Sequence, residues 1–344
     1  MQELSQVKQA IKKGQPSPVY LVLGTESALI NESRRVLRSI IPPDMISMNY
    51  GRYDMQEVPL ANATQELSEP PFFGDYREIV IENPDFLTGS GSTTKQEEAL
   101  GELLAYVKNP SPATILVIIA PYPKLDARKK IVKAITKAAT EIDASPMTEG
   151  KSKAVIRQRA AAAKVAIDEP ALDALVSRTQ AEYSAMIAAM PVLLLHAAQS
   201  KTITKDDVER LVPKQLTDSV FDLVDAVLQR DADTALGIYH DLLLMKEEPL
   251  RLVSLLEGQF RLLIQLAIFK NRGYTQGAAA ANLKVHPYRV KLAWRKLSGV
   301  NRTDLDAAYM LLVNTEAAMK RGTLNKELGF ELFVLQYTGK RERA

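Results

Sequence analysis

The chain has 344 residues, with 44 Lys and Arg against 41 Asp and Glu, three His and no Cys. That length suggests two or three domains, each large enough for its own core, and 46% apolar with 25% charged residues excludes a largely disordered chain. Without Cys there is no disulfide framework and no thiolate zinc site, and apolar runs such as Ile115–Ala120 fall far short of the roughly 20 residues of a membrane span.

The opening stretch MQELSQVKQAIKK predicts an amphipathic helix over 3–13 rather than a secretory leader, because no apolar block follows its charges. A soluble, cytoplasmic protein is therefore expected. Pro16 and Pro18 end this helix and set an extended entry. Val19–Leu23 is a short apolar run closed by Gly24, the pattern of a buried strand, and helical spacing returns over 26–40. Further strands are expected at 78–81 and 114–120, the latter followed by the helical run LDARKKIVKAITKAA. Strands alternating with helices predict an α/β fold with a parallel sheet covered on both faces. Gly89 to Thr94 reads as a flexible surface loop.

From about residue 144 the pattern becomes short Ala-rich helices: KAVIRQRAAAAKVA, PALDALVSRT, YSAMIAAMPVLLLHAAQ and TKDDVERLV. Asp168-Glu169-Pro170 and Thr204-Lys205-Asp206-Asp207 carry helix-start signals. Longer amphipathic helices follow from about residue 215 and predict an all-α bundle. No repeat of fixed period is present. The expected organisation is thus an α/β domain over 1–143, a small helical domain over 144–214 and an all-α domain over 215–344.

Charge is distributed unevenly. Residues 1–140 carry 16 basic and 16 acidic groups, 141–216 carry 10 and 10, and 217–344 carry 18 and 15. Within the last segment, 258–303 holds nine basic residues and no acid. Lys284, Arg289, Lys291, Arg295 and Lys296 form its densest part, interleaved with Tyr288 and Trp294. Such a stretch suits a phosphate backbone or an acidic partner, or the solvated face of a bundle whose aromatics fill its core.

The loop after the first strand is where a nucleotide-binding loop would sit. It reads LGTESALINE, without the second Gly and the Lys of Gly-x-x-x-x-Gly-Lys-Ser/Thr, and Glu26 would repel phosphate. A second candidate, Ser145 to Ser152, ends in Gly150-Lys151-Ser152 but lacks the first Gly and carries Glu149. It supports an alternative reading of the chain as an ATPase using Lys151 and Ser152. His196, His240 and His286 form no metal or catalytic pattern by spacing, and each reads as structural.

Phe72-Phe73, in LSEPPFFGDYR, is the most unusual local feature. Neighbouring side chains do not share a face on a helix and point oppositely on a strand, so at least one ring should have difficulty reaching the core. The pair is either an aromatic anchor for a partner's pocket or one core ring beside one that covers a turn.

Taken together, PVYLVLGTESALINE, PPFFGDYREIVIEN, TILVIIAPYPKLDARKKIVKAI, SVFDLVDAVLQRD, EEPLRLVSLLEGQFRLLIQL, LKVHPYRVKLA and MKRGTLNKELGFELFVLQ resemble the delta subunits of bacterial DNA polymerase III clamp loaders. The resemblance runs over nearly the whole chain, and its specificity lies in the order and spacing of these pieces. It implies an AAA+-like first domain with a degenerate phosphate loop, a small helical domain and a helical collar. It also implies a DNA replication role with no catalytic residue, cofactor or metal of the subunit's own. Phe72 and Phe73 would enter a pocket on the sliding clamp. The collar would hold the chain beside the tau/gamma and delta-prime subunits on primer-template DNA, within the cytoplasm and away from membranes.

Overall fold

The structure is a computed structural model that describes residues 4–89, 94–214 and 216–339. Residues 90–93 of the loop expected over 89–94 lie outside the described residues. The chain divides into two compact units. The first takes the residues up to Met147 together with Glu182–Ala188; the second holds Thr148–Ala181 and the residues from Ala189 on.

The first unit is built on five parallel strands, β1 (Val19–Leu23), β2 (Tyr50–Asp54), β3 (Arg77–Glu82), β4 (Thr114–Ala120) and β5 (Thr140–Asp143), in the order β2-β3-β4-β1-β5. The run TILVIIA forms β4, buried along its whole length as the central strand of a sheet covered on both faces. Register follows the side-chain alternation: Val19 pairs with Leu116 and Leu21 with Ile118, while Ile79 and Ile81 pair with the same two residues from the other side. These alternate positions pack under the helices Leu60–Leu67, Thr94–Lys108 and Lys130–Ala138. The intervening residues Tyr20, Val22, Val80, Val117 and Ile142 face the opposite layer, with Val7 of the helix Leu4–Lys12 and Ile30 and Leu37 of the helix Ser27–Arg38. This is the parallel α/β sheet, covered on both faces, that the alternation of strands and helices predicts.

The expected strands at 19–23, 78–81 and 114–120 are present, but β2 and β5 are additions. Both are edge strands. β2 reads YGRYD and is only half-buried, so it lacks the apolar run that marks a central strand.

In the second unit, the helices Glu149–Ala162, Glu169–Arg178 and Lys205–Leu211 start at the side-chain caps Thr148, Asp168 and Thr204. Asp168 accepts from the Ala171 amide at 2.7 Å, and Thr204 forms a reciprocal capping box with Asp207. Ala166, expected as the end of a helix, instead forms strand β6 (Ala166–Ile167), paired in parallel with β7 (Thr202–Ile203). The remaining helices, from Leu216–Leu228 to Lys326–Gly339, share one apolar core around Leu252, Leu256, Phe260, Leu312, Phe330 and Phe333. Among the described residues, Pro249–Asn271 is the one helix long and apolar enough to cross a membrane. Here Leu252, Val253, Leu256, Phe260, Leu263 and Leu266 bury its apolar stripe in that core.

Candidate functional site

The helix Leu60–Leu67 ends at Ser68, and Pro70-Pro71, which lack amide N–H groups, prevent its continuation. Before β3 begins at Arg77, the chain bends through Phe72, Phe73 and Gly74. Gly74 has φ +88°, and a Cβ there would lie 2.7 Å from the Met45 sulfur, so this bend requires glycine. Asn49, only 1% exposed, closes the bend from behind. Its Oδ1 accepts from the Phe72 amide and its Nδ2 donates to the Phe73 carbonyl, both at 2.7 Å.

Both rings point outward, each 65% exposed, and meet edge to face with centroids 4.9 Å apart. Such an arrangement is the favourable one for an aromatic pair. The sequence reading required only that one ring stay out; a bend frees both from the geometry of helix and strand. Met48, also exposed, adds to the apolar surface. An open groove of about 450 Å³ runs beside Phe72, lined by Met48, Glu69, Pro70 and Arg77. Arg77 pairs with Glu66 and, at 3.0 Å, with Glu69, giving the groove a charged rim whose one cation is shared by two carboxylates. The tip can therefore offer two preoriented rings to an apolar pocket. Asn49, Met48 and Gly74 were not legible beforehand: Asn49 lies 23 residues from Phe72 and nothing local marks it.

The loop after β1 is occupied by the chain's own groups. Gly24 has φ +140°, and its missing Cβ would fall 2.0 Å from the Ala144 carbonyl carbon. The Gly24 amide donates to the Ala120 carbonyl at 3.3 Å and the Glu26 amide to the Ala144 carbonyl at 2.9 Å. At the start of the following helix, the Ala28 amide donates to the Ser184 hydroxyl at 3.0 Å, and Ser184 also bonds the Glu26 carboxylate. These amides are the donors that a phosphate cradle would need. In the second candidate loop, Lys151 lies in the first turn of the helix Glu149–Ala162, its amide donating to Thr148 Oγ1 at 3.5 Å. Ser152 is fully buried, and Glu149 pairs with Lys291 at 2.7 Å.

The basic stretch divides by environment. Lys291 is held by Glu149 at 2.7 Å, and Lys296 pairs with Asp225 and donates to the Phe221 carbonyl at 3.2 Å. Arg289 is half-buried, whereas Lys284 and Arg295 are exposed. Trp294 packs against the helical core. His286 caps the helix Pro287–Lys296, accepting from the Tyr288 amide at 3.3 Å. His196 bonds Asp207 at 3.0 Å and His240 bonds Glu331 at 2.8 Å. The three are not brought together by any of these contacts.

One buried carboxyl lies close to the aromatic tip in sequence. Glu78, at the start of β3, is pushed up to about 7 by burial, with Arg38 at 3.8 Å acting in the opposite direction. The Arg38 guanidinium lies 3.2 Å from the Tyr50 ring centroid.

A five-stranded parallel α/β unit and a helical unit whose C-terminal helices share one apolar core together define the class of the fold. A family model of the DNA polymerase III delta subunit matches residues 20–145, and a model of the C-terminal domain of that subunit matches 217–337. The DNA polymerase III subunit delta of Bacillus subtilis is 33% identical over 338 residues, covering 98% of this chain and 97% of that protein. A probable DNA polymerase III subunit delta of Aquifex aeolicus is 23% identical over 259 residues, 74% of this chain and 73% of the relative. A solved structure of a Bacillus subtilis DNA clamp loader delta protein matches with a TM-score of 0.78 at 33% identity, covering 98% of this chain and 99% of that one. The chain belongs to the family of DNA polymerase III delta subunits, which are clamp-loader components of DNA replication.

Proposed function

We propose that this chain binds a sliding clamp through Phe72 and Phe73 and stabilises the opened ring while it is loaded onto primed DNA. The observation that carries this reading is the outward, edge-to-face pair of rings on a bend held by a buried amide. Membership of a family of clamp-loader subunits supports a sliding clamp as the partner. A ligand shifts a closed-to-open equilibrium only by its preference for the open form, so the chain acts by differential binding and needs no bond-making step of its own.

The same proposal assigns 1–143 to clamp capture and 144–214 to a separate small helical domain. It assigns 215–344 to assembly with the tau/gamma and delta-prime subunits in the cytoplasm. The two family models, which leave 146–216 between them, support that division. Contact with primer-template DNA or a neighbouring subunit falls first to Lys284 and Arg295, because Lys291 and Lys296 are committed to internal ion pairs.

The test is capture of the sliding clamp by the double variant Phe72→Ala, Phe73→Ala. Two buried rings are worth about 3–6 kcal/mol, so affinity should fall by at least about 100-fold while assembly with the other loader subunits persists. Undiminished clamp capture would refute the assignment.

A further inference from the structure

Family membership and the exposure of the two rings leave open what fixes their direction. In an extended strand, the amide of one residue and the carbonyl of the next point to opposite sides. Here the Phe72 amide and the Phe73 carbonyl both turn to a single side chain, Asn49, at 2.7 Å each. The segment is therefore curled around that amide, and the curl lets two successive rings leave on the same side and meet at 4.9 Å. Asn49 is 1% exposed, at the end of the helix Ile46–Asn49 and directly before β2, so it stands on the sheet and not on the loop it holds. Gly74, at a φ of +88° that residues with a Cβ rarely adopt, fixes the other end of the bend.

We propose that Asn49 is a positioning residue for partner capture: its carboxamide ties the Phe72-Phe73 bend to the sheet and presents both rings, preoriented, to an apolar pocket on the partner. The inference rests on the clamp-capture reading above and adds the group that makes the tip rigid before binding. Only Asn satisfies the pair of contacts at this length, because it offers one acceptor and one donor on the same planar group. Ordering a side chain in advance removes an entropic cost from association, so loss of the tie lowers affinity without removing either ring.

The experiment measures affinity for the sliding clamp by titration calorimetry, with thermal melting as the check on folding. Asn49→Ala in the full chain should weaken binding about 10-fold. In a Phe72→Ala background, where the amide has one fewer ring to orient, the same substitution should cost no more than about 3-fold. A purely structural role would give equal losses in both backgrounds, and that result, or an unchanged affinity for Asn49→Ala, overturns the proposal. Should Asn49→Ala fail to fold, Asn49→Leu replaces it in both backgrounds. It keeps the branched shape but offers neither acceptor to the Phe72 amide nor donor to the Phe73 carbonyl, and the same two outcomes decide. If Phe72→Ala, Phe73→Ala binds the clamp normally, the functional reading itself fails. If only the Asn49 variants bind normally, that reading stands and the positioning role falls.

Discussion

At Glu78 a single carboxyl links the fold to pH. Its value in the folded chain, about 7, lies above the ordinary 4.5 because burial disfavours the charged form more than Arg38 restores it. A group raised on folding contributes its stability below the unfolded value and loses it as pH rises through the folded one. Between about pH 4.5 and 7, wild-type stability should therefore decline relative to a Glu78→Gln variant. One pKa unit is about 1.4 kcal/mol, so the variant should gain up to about 3 kcal/mol at pH 8 and nothing near pH 4, as read by chemical denaturation at the two values. Gly24 makes a second residue-scale case. Gly24→Ala would force a methyl into the Ala144 backbone at a φ of +140°, and it should destabilise the first unit by at least about 2 kcal/mol in the same assay. The importance of Phe72-Phe73 was legible in the sequence because two adjacent rings fit neither helix nor strand. Asn49 and Ser184 were not, since each acts on a segment far away in sequence, and a lone Asn or Ser carries no periodic signal.

Elements were legible in proportion to their burial. The runs VYLVL and TILVIIA declare themselves because both faces of these strands are covered. β2 and β5 sit at the sheet edges and carry Arg52, Asp54, Glu141 and Asp143, which mask them. The long helices of the second unit announced themselves by their spacing, whereas their caps at Asp231, Glu248, His286 and Asn301 emerge in the structure. Pro249–Asn271 is the element on which that unit depends most. Its Phe260 is fully buried among residues from several other helices, and Phe260→Ala should cost about 3–5 kcal/mol in a melting experiment. The helix Pro287–Lys296 shows how a charge pattern misleads: its basic residues look uniform in the sequence, yet Lys291 and Lys296 have acidic partners 142 and 71 residues away.

For the molecule as a whole, that pairing limits what the positive charge can do. With Lys284 and Arg295 as the exposed cations of the densest basic stretch, any duplex DNA binding through this face by the isolated chain should show a log–log salt slope near about −2. A slope near about −4.5, the value for all five residues, would mean that the internal ion pairs open on contact. In the other unit, the role proposed for the aromatic tip is to enter an apolar pocket on the sliding clamp. The chain has one Trp, Trp294. In a Trp294→Phe, Phe72→Trp variant, the emission of the new indole reports directly on that transfer. Saturation with sliding clamp should shift its emission to the blue and protect it from a soluble quencher. Unchanged emission and full quenching in the bound complex would contradict the account.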